Sequence, residues 1–188
     1  EACLRALAYM PADAWVSFDP NIRPEVLSVA EIRSLCQPVL QRANVFLPSA
    51  GEAAMFTGEA TDEAGCRRLA AEGKLVVLKQ GPRGCRLFAE GREVAVAGLH
   101  VNEVDPTGAG DSFAGGFMGY LAGVGRSDWK TLRQAVIFGS VIASFAVEKF
   151  SLDRLRELTF TEIELRYKEF REMTHFDDVV EWRRESPA

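Results

Sequence analysis

Apolar residues recur along this chain in two rhythms that alternate. Short continuous apolar runs read as buried strands, and longer stretches with apolar positions three and four apart read as amphipathic helices. Residues 14–19 (AWVSFD) form a first strand-like run, bounded by Pro20. Residues 29–42 have helical spacing through Ile32, Leu35, Val39 and Leu40, with Pro38 as a bend. Residues 44–47 predict a second strand ended by Pro48, and 50–56 and 61–72 predict helices stopped by Gly58 and Gly73. The run LVVLK at 75–79 is apolar on both faces, as a central parallel strand should be. Residues 84–90 and 92–97 then predict a hairpin turning at Glu90 and Gly91.

A short run ending in Val104 leads into predicted helices at 110–122, 129–147 and 161–173. In the last of these Ile163, Tyr167 and Phe170 share one face, which is expected to pack on the domain. Residues 2–10 read as the end of a helix, and 177–188 as a polar tail behind a single domain at 1–176. Alternating β and α units predict an α/β fold with a doubly wound, mostly parallel sheet and helices on both faces. Ligands of such sheets sit at the carboxyl ends of strands. Those ends carry Asp19, Pro48, Lys79 and Val104, so the regions that follow them are expected to converge on one edge.

Composition narrows the function class. A length of 188 residues with 47% hydrophobic content suits one domain with a sizeable core. The net charge of −5 and the lack of a basic cluster beyond Arg67-Arg68 and Arg183-Arg184 disfavour nucleic acid as a partner. No run of 18 apolar residues and no charged-then-apolar leader points to a membrane or to export. Cys3, Cys36, Cys66 and Cys85 are widely spaced without C-x-x-C, and read as reduced, mostly buried thiols of a cytoplasmic protein. His100 and His175 stand apart from any Ser or Cys in a catalytic arrangement and read as structural.

The chemistry concentrates in residues 102–118, NEVDPTGAGDSFAGGFM. A Gly-rich turn (Gly108, Ala109, Gly110) delivers Asp111 to the start of an apolar helix carrying Phe113, Phe117 and Leu121. The first turn of a helix has amides without intrahelical partners, and its dipole favours negative charge. Glycines there let a phosphate approach the main chain. A carboxylate at the same turn can accept a proton from a group attacking that phosphate, so the segment reads as a phosphoryl-transfer site. An Asp in a first helical turn and a Gly-rich turn also occur for purely structural reasons. A dinucleotide fingerprint fits less well, because Phe113 replaces its third glycine and Asp128 precedes a helix rather than ending a strand. No G-x-x-x-x-G-K-[ST] occurs.

DPTGAGDSFAGGF resembles the C-terminal signature of the ribokinase-like, or PfkB, carbohydrate kinases. Three further stretches agree in kind and order: Asp19-Pro20-Asn21-Ile22-Arg23, Leu47-Pro48-Ser49-Ala50-Gly51-Glu52, and Lys79-Gln80-Gly81-Pro82-Arg83-Gly84. The resemblance implies an ATP-dependent kinase of a sugar or keto-sugar acid, with kinases of nucleosides or vitamin-like alcohols and a non-catalytic nucleotide-binding module as alternatives. It implies Asp111 as general base and Gly108, Ala109 and Gly110 as an anion hole. ATP contacts are implied at Lys79, Gly81, Gly84 and Ser49, and adenine contact at Gly139 or Ser140. Asp19, Asn21 and Arg23 are implied to face the substrate, with ATP as the alternative. Glu52 is implied to influence Mg²⁺ through water, and Asp105 and Thr107 to help hold a monovalent cation such as K⁺. Ser49 departs from the family's N-x-x-E motif, which has Asn there. Family members are longer, which implies that a front part of the fold lies before Glu1. That part would carry a lid, a homodimer contact through it, and most of the sugar-selecting residues.

Overall fold

Short parallel strands ending on one edge are the part of the architecture that positions chemistry. The computed structural model describes residues 2–22 and 25–174. Arg23, His175 and the tail at 177–188 therefore lie outside the described residues. The chain divides after Gly98 into two compact units.

In the first unit, helix α1 (Ala2–Tyr9) leads to strand β1 (Ser17–Phe18), helix α2 (Val29–Arg42) and strand β2 (Val45–Phe46). Helices α3 (Glu52–Thr57) and α4 (Asp62–Ala71) follow, then β3 (Leu75–Lys79), a 3-10 turn (Gly81–Arg83), β4 (Cys85–Ala89) and β5 (Arg92–Val96). The five strands lie in chain order across one sheet, with β1, β2 and β3 parallel and β4 and β5 antiparallel. In the parallel part Phe18 is level with Phe46, and Phe46 with Val76. Prolines 20 and 48, which lack an amide for the ladder, keep β1 and β2 short. The LVVLK run is buried along its first four residues, as its two-sided apolarity requires.

Helix α2 starts on a capping box between Ser28 and Glu31 and continues through Pro38 without a break. Phe18, Phe46 and Phe56 meet with ring centroids 5.8–6.1 Å apart and join β1, β2 and α3. Helices α3 and α4 close tightly, since a Cβ on Gly65 would lie 2.8 Å from the Ala53 carbonyl oxygen. Of the cysteines, Cys66 and Cys85 are buried and Cys36 half-buried, but Cys3 is exposed.

The second unit is helical: α5 (Ala109–Val124), α6 (Trp129–Ala146), α7 (Asp153–Glu157) and α8 (Phe160–Thr174). The strand expected to end at Val104 is not formed. Val104 is 58% exposed, and its amide and that of Asp105 both donate to the Val147 carbonyl (2.8 and 3.2 Å), so one acceptor at the end of α6 replaces a ladder. Helix α7 is an element that the apolar pattern does not announce. As expected, Phe113, Phe117 and Leu121 face inward from α5, and Phe170 is buried on α8. Arg154 and Arg166 cover the Phe145 ring, 4.7 and 3.5 Å from its centroid, and both pair with Glu148. No helix among the described residues is long and apolar enough to cross a membrane.

Candidate active site

In the second unit, the turn before α5 has the shape that its glycines foretell. Gly108 is the N-cap in the left-handed region (φ 80°), a conformation that costs glycine nothing and any other residue strain. It swings the chain from Pro106-Thr107 into the helix. The Ala109 amide is already used, donating to the Pro106 carbonyl at 3.2 Å, and the Ser112 amide donates to Gly108 at 2.8 Å. No described residue accepts from the amides of Gly110 or Asp111. Of the expected trio, the amides of Gly108 and Gly110 thus have no described acceptor, and Asp111 adds a further open amide. The Asp111 side chain is exposed in the first turn of α5.

Asp105 braces the approach to this turn. One carboxylate oxygen accepts from the Thr107 amide at 3.0 Å, and the other lies 3.5 Å from the Ser151 amide. The Thr107 amide bond holds the Asp105 carboxyl below its ordinary range. No described amide donates to the Thr107 carbonyl, which leaves an acceptor beside an ionised carboxylate. Behind the turn, α6 presses on α5 at Gly139, where a Cβ would stand 2.9 Å from the Phe113 carbonyl oxygen. The main-chain closeness at Gly139 is thus explained by helix packing. Ser140 directs its hydroxyl back to the Val136 carbonyl at 2.9 Å.

In the first unit, the three parallel strands end in loops that are bonded together. Asp19, just past β1, accepts from the Asn21 amide at 3.3 Å through Oδ1 and pairs through Oδ2 with Lys79 Nζ. Glu52, at the start of α3, is 8% exposed. Its Oε1 accepts from the Ile22 amide at 2.9 Å and its Oε2 from the Ser49 amide at 2.6 Å. Ser49 also forms a parallel bridge with Lys79. Asn21 is exposed and adopts a left-handed φ of 42°. The Lys79 side chain, implied by the resemblance to contact ATP, is 13% exposed and paired with Asp19.

The turn beyond β3 contains two different glycines. Gly81 (φ 58°) has open space around it, while a Cβ on Gly84 (φ 88°) would fall 2.0 Å from the Val96 carbonyl oxygen. Gly84 is therefore required by the return of β5. Sequence reasoning missed Asp62, whose carboxylate accepts from the amides of Gly51 and Ala54 (2.6 and 3.0 Å) and so caps the neighbouring helix. An Asp at the start of α4 reads locally as serving its own helix, which hid that role.

The chain matches the family described as pfkB family carbohydrate kinase over residues 1–157. It belongs to that family. A fructokinase of Vibrio alginolyticus is 34% identical over 132 residues, covering 69% of this chain and 41% of the relative. An E. coli protein provisionally named ribokinase II, solved in complex with ATP and Mg²⁺, is similar with a TM-score of 0.75 and 29% identity over 90% of this chain and 54% of that chain. A fructokinase from Vibrio cholerae O395, solved with fructose, ADP and calcium, gives a TM-score of 0.68 and 30% identity over 80% of this chain and 50% of that chain. This chain thus spans about half the length of the relatives it matches. Its fold is the ribokinase-like α/β fold of these neighbours.

Proposed function

We propose that this chain carries phosphoryl-transfer machinery of an ATP-dependent kinase acting on a sugar or keto-sugar acid. The observation that carries the reading is the start of α5, where the amides of Gly108, Gly110 and Asp111 have no described acceptor and the Asp111 carboxylate stands beside them. Membership of the pfkB carbohydrate kinases supports it, as do the fructose, ADP and ATP found in the solved neighbours.

In the proposed reaction an acceptor hydroxyl attacks the γ-phosphorus in line. A bond forms from that oxygen to phosphorus, the bond from phosphorus to the β–γ bridging oxygen breaks, and ADP leaves with that electron pair. An alcohol is too weak an acid to lose its proton first. The proton becomes acidic as the new bond forms and passes to Asp111. The amides of Gly110 and Asp111 donate to the charge-bearing phosphoryl oxygens, an already oriented electrostatic contribution of a few kcal/mol.

Mg²⁺ fits this chain as a companion of the nucleotide. Among the described residues no three His, Cys, Asp or Glu side chains cluster into a metal cage. Each Glu52 carboxylate oxygen accepts one amide and keeps further lone pairs, the acceptor capacity needed to take a hydrogen bond from a water of a hydrated ion. When bound on the phosphates, Mg²⁺ supplies neutralisation of their charge. Asp105 and the Thr107 carbonyl have the oxygen chemistry for a monovalent cation such as K⁺.

The test is a coupled ADP-release assay of the chain with Mg·ATP against fructose and a panel of sugars and sugar acids. Acceptor-dependent ADP release is the expected result. Tight nucleotide binding with a flat response across the panel would favour a binding module, and absence of nucleotide binding would remove the kinase reading.

A further inference from the structure

We propose that Cys3 and Cys36 form a redox-modification site, a thiol pair that a small disulfide such as oxidised glutathione converts into a covalent tie between α1 and α2. Neither thiol is needed for the kinase reading above.

The two helices place these cysteines level with each other. Helix α1 packs against α2. Their last turns meet, because Arg42 at the end of α2 donates to the carbonyls of Pro11 and Ala14 (3.1 and 3.2 Å), just past the end of α1. Helix α1 leads into β1 and α2 into β2, which are parallel neighbours, so the helices that feed them run side by side in one direction. Cys3 and Cys36 each lie six residues before the last residue of their helix, Tyr9 and Arg42. With a rise of about 1.5 Å per residue, both stand about 9 Å back from the meeting ends.

Both cysteines also lie on inward faces. Cys36 falls between buried Ile32 and Leu40 at helical spacing and packs against the core that they join. Cys3 is one turn before Leu7, the half-buried residue of α1. The Cys36 thiol registers the same closeness: burial raises it first, and Cys3 raises it further. Helices packed about 8–10 Å apart leave facing Cα atoms about 5 Å apart, a separation that a disulfide spans.

Exposure sets the order of the chemistry. The exposed Cys3 thiol loses its proton to solvent, and its sulfur attacks one sulfur of oxidised glutathione. A mixed disulfide forms, and one glutathione thiolate leaves with the electron pair of the broken S–S bond. Cys36 then loses its proton, and its sulfur attacks the Cys3 sulfur and expels the second glutathione. Two protein thiols are oxidised and one glutathione disulfide is reduced to two thiols. The resulting bridge encloses β1 and Asp19 in a covalent ring. Cys66 and Cys85 are buried on α4 and β4 and take no part.

The test treats the native full chain with oxidised glutathione, blocks remaining thiols with N-ethylmaleimide in denaturant, and maps tryptic peptides without reduction. The expected product joins residues 1–5 to residues 34–42, at two hydrogens below the summed peptide masses, and dithiothreitol removes it. Maleimide labelling of Cys36 should fall by about tenfold or more after oxidation, and hydrogen exchange across α1 should slow by a similar factor. In Cys3→Ser the Cys36 labelling should not respond to oxidation. Cys3 accumulating as its glutathione adduct with Cys36 still free would overturn the pair. So would a bridge from Cys3 to Cys66, to Cys85 or to a second copy of the chain, or a Cys3–Cys36 bridge that forms only in denaturant.

Discussion

At the scale of single residues, the carboxylates divide by what already occupies them. Asp19, Glu52, Asp62 and Asp105 all accept amides or a lysine, whereas Asp111 stands exposed at a turn with spare donors. Only an unengaged carboxylate can take a proton without dismantling local structure. Asp111→Asn is therefore expected to lower kcat by about 10²–10⁴-fold, with melting temperature and MgADP affinity unchanged. Parental turnover in that variant would remove Asp111 from the mechanism. Thiols divide in the same way. Burial pushes the Cys66 thiol up to about 12, and the thiolate is the reactive form. Maleimide labelling of the native chain should modify exposed Cys3 and spare Cys66 until denaturant is added. Labelling of Cys66 at a rate equal to that of Cys3 would contradict its burial.

At the scale of elements, the most consequential packing is that of α6 against the N-terminal half of α5. Gly116 and Gly139 bring the two helices together, since a Cβ on Gly116 would meet the Gly139 Cα at 3.1 Å. Gly139→Ala gains up to about 1 kcal/mol of helix propensity but forces its methyl toward the Phe113 carbonyl and ring. Overpacking of this kind costs about 1–3 kcal/mol, so the clash wins. A lower denaturant midpoint is the expected measurement, and an unchanged or higher one would show that the helices have room. The helices and β3 were legible because their apolar periodicity is strong. The strand at Val104 was misread because a short apolar run does not say whether a neighbouring strand accepts its amides. Helix α7 was missed because five residues carry too little periodicity.

At the scale of the whole molecule, the ionisable groups set both ends of a pH range. The Thr159 hydroxyl and amide, followed by Arg154, bring Glu162 down to about 2 from an ordinary 4.5. The Thr131 amide likewise lowers Asp128 at the start of α6. Depressed carboxyls contribute stability that is present above their ordinary pKa and lost as pH falls through the folded value. The acid limb should therefore decline from about pH 4.5 toward 2. Cys66 has the opposite sign. Its raised value contributes stability below 9.0 that is lost as pH rises toward about 12, and burial raises Tyr120 and Tyr167 in the same direction. Denaturant midpoints measured across pH should form a plateau falling on both sides. An acid limb that stays flat down to pH 2 would contradict the Glu162 contacts.

The amino-acid sequence alone settled where most helices and strands lie, the Gly-rich turn before Asp111 and the family itself. Those features depend on neighbours in the chain, through periodicity, proline and glycine. Only the folded structure decided which amides remain open at that turn and what each carboxylate holds. Lys79 finds Asp19 across 60 residues, and Glu52 finds Ile22 across 30, so no local pattern could announce either partnership. Such pairings arise when strand order brings distant loops to one edge, and burial then makes each charge bind whatever donor the fold has placed beside it.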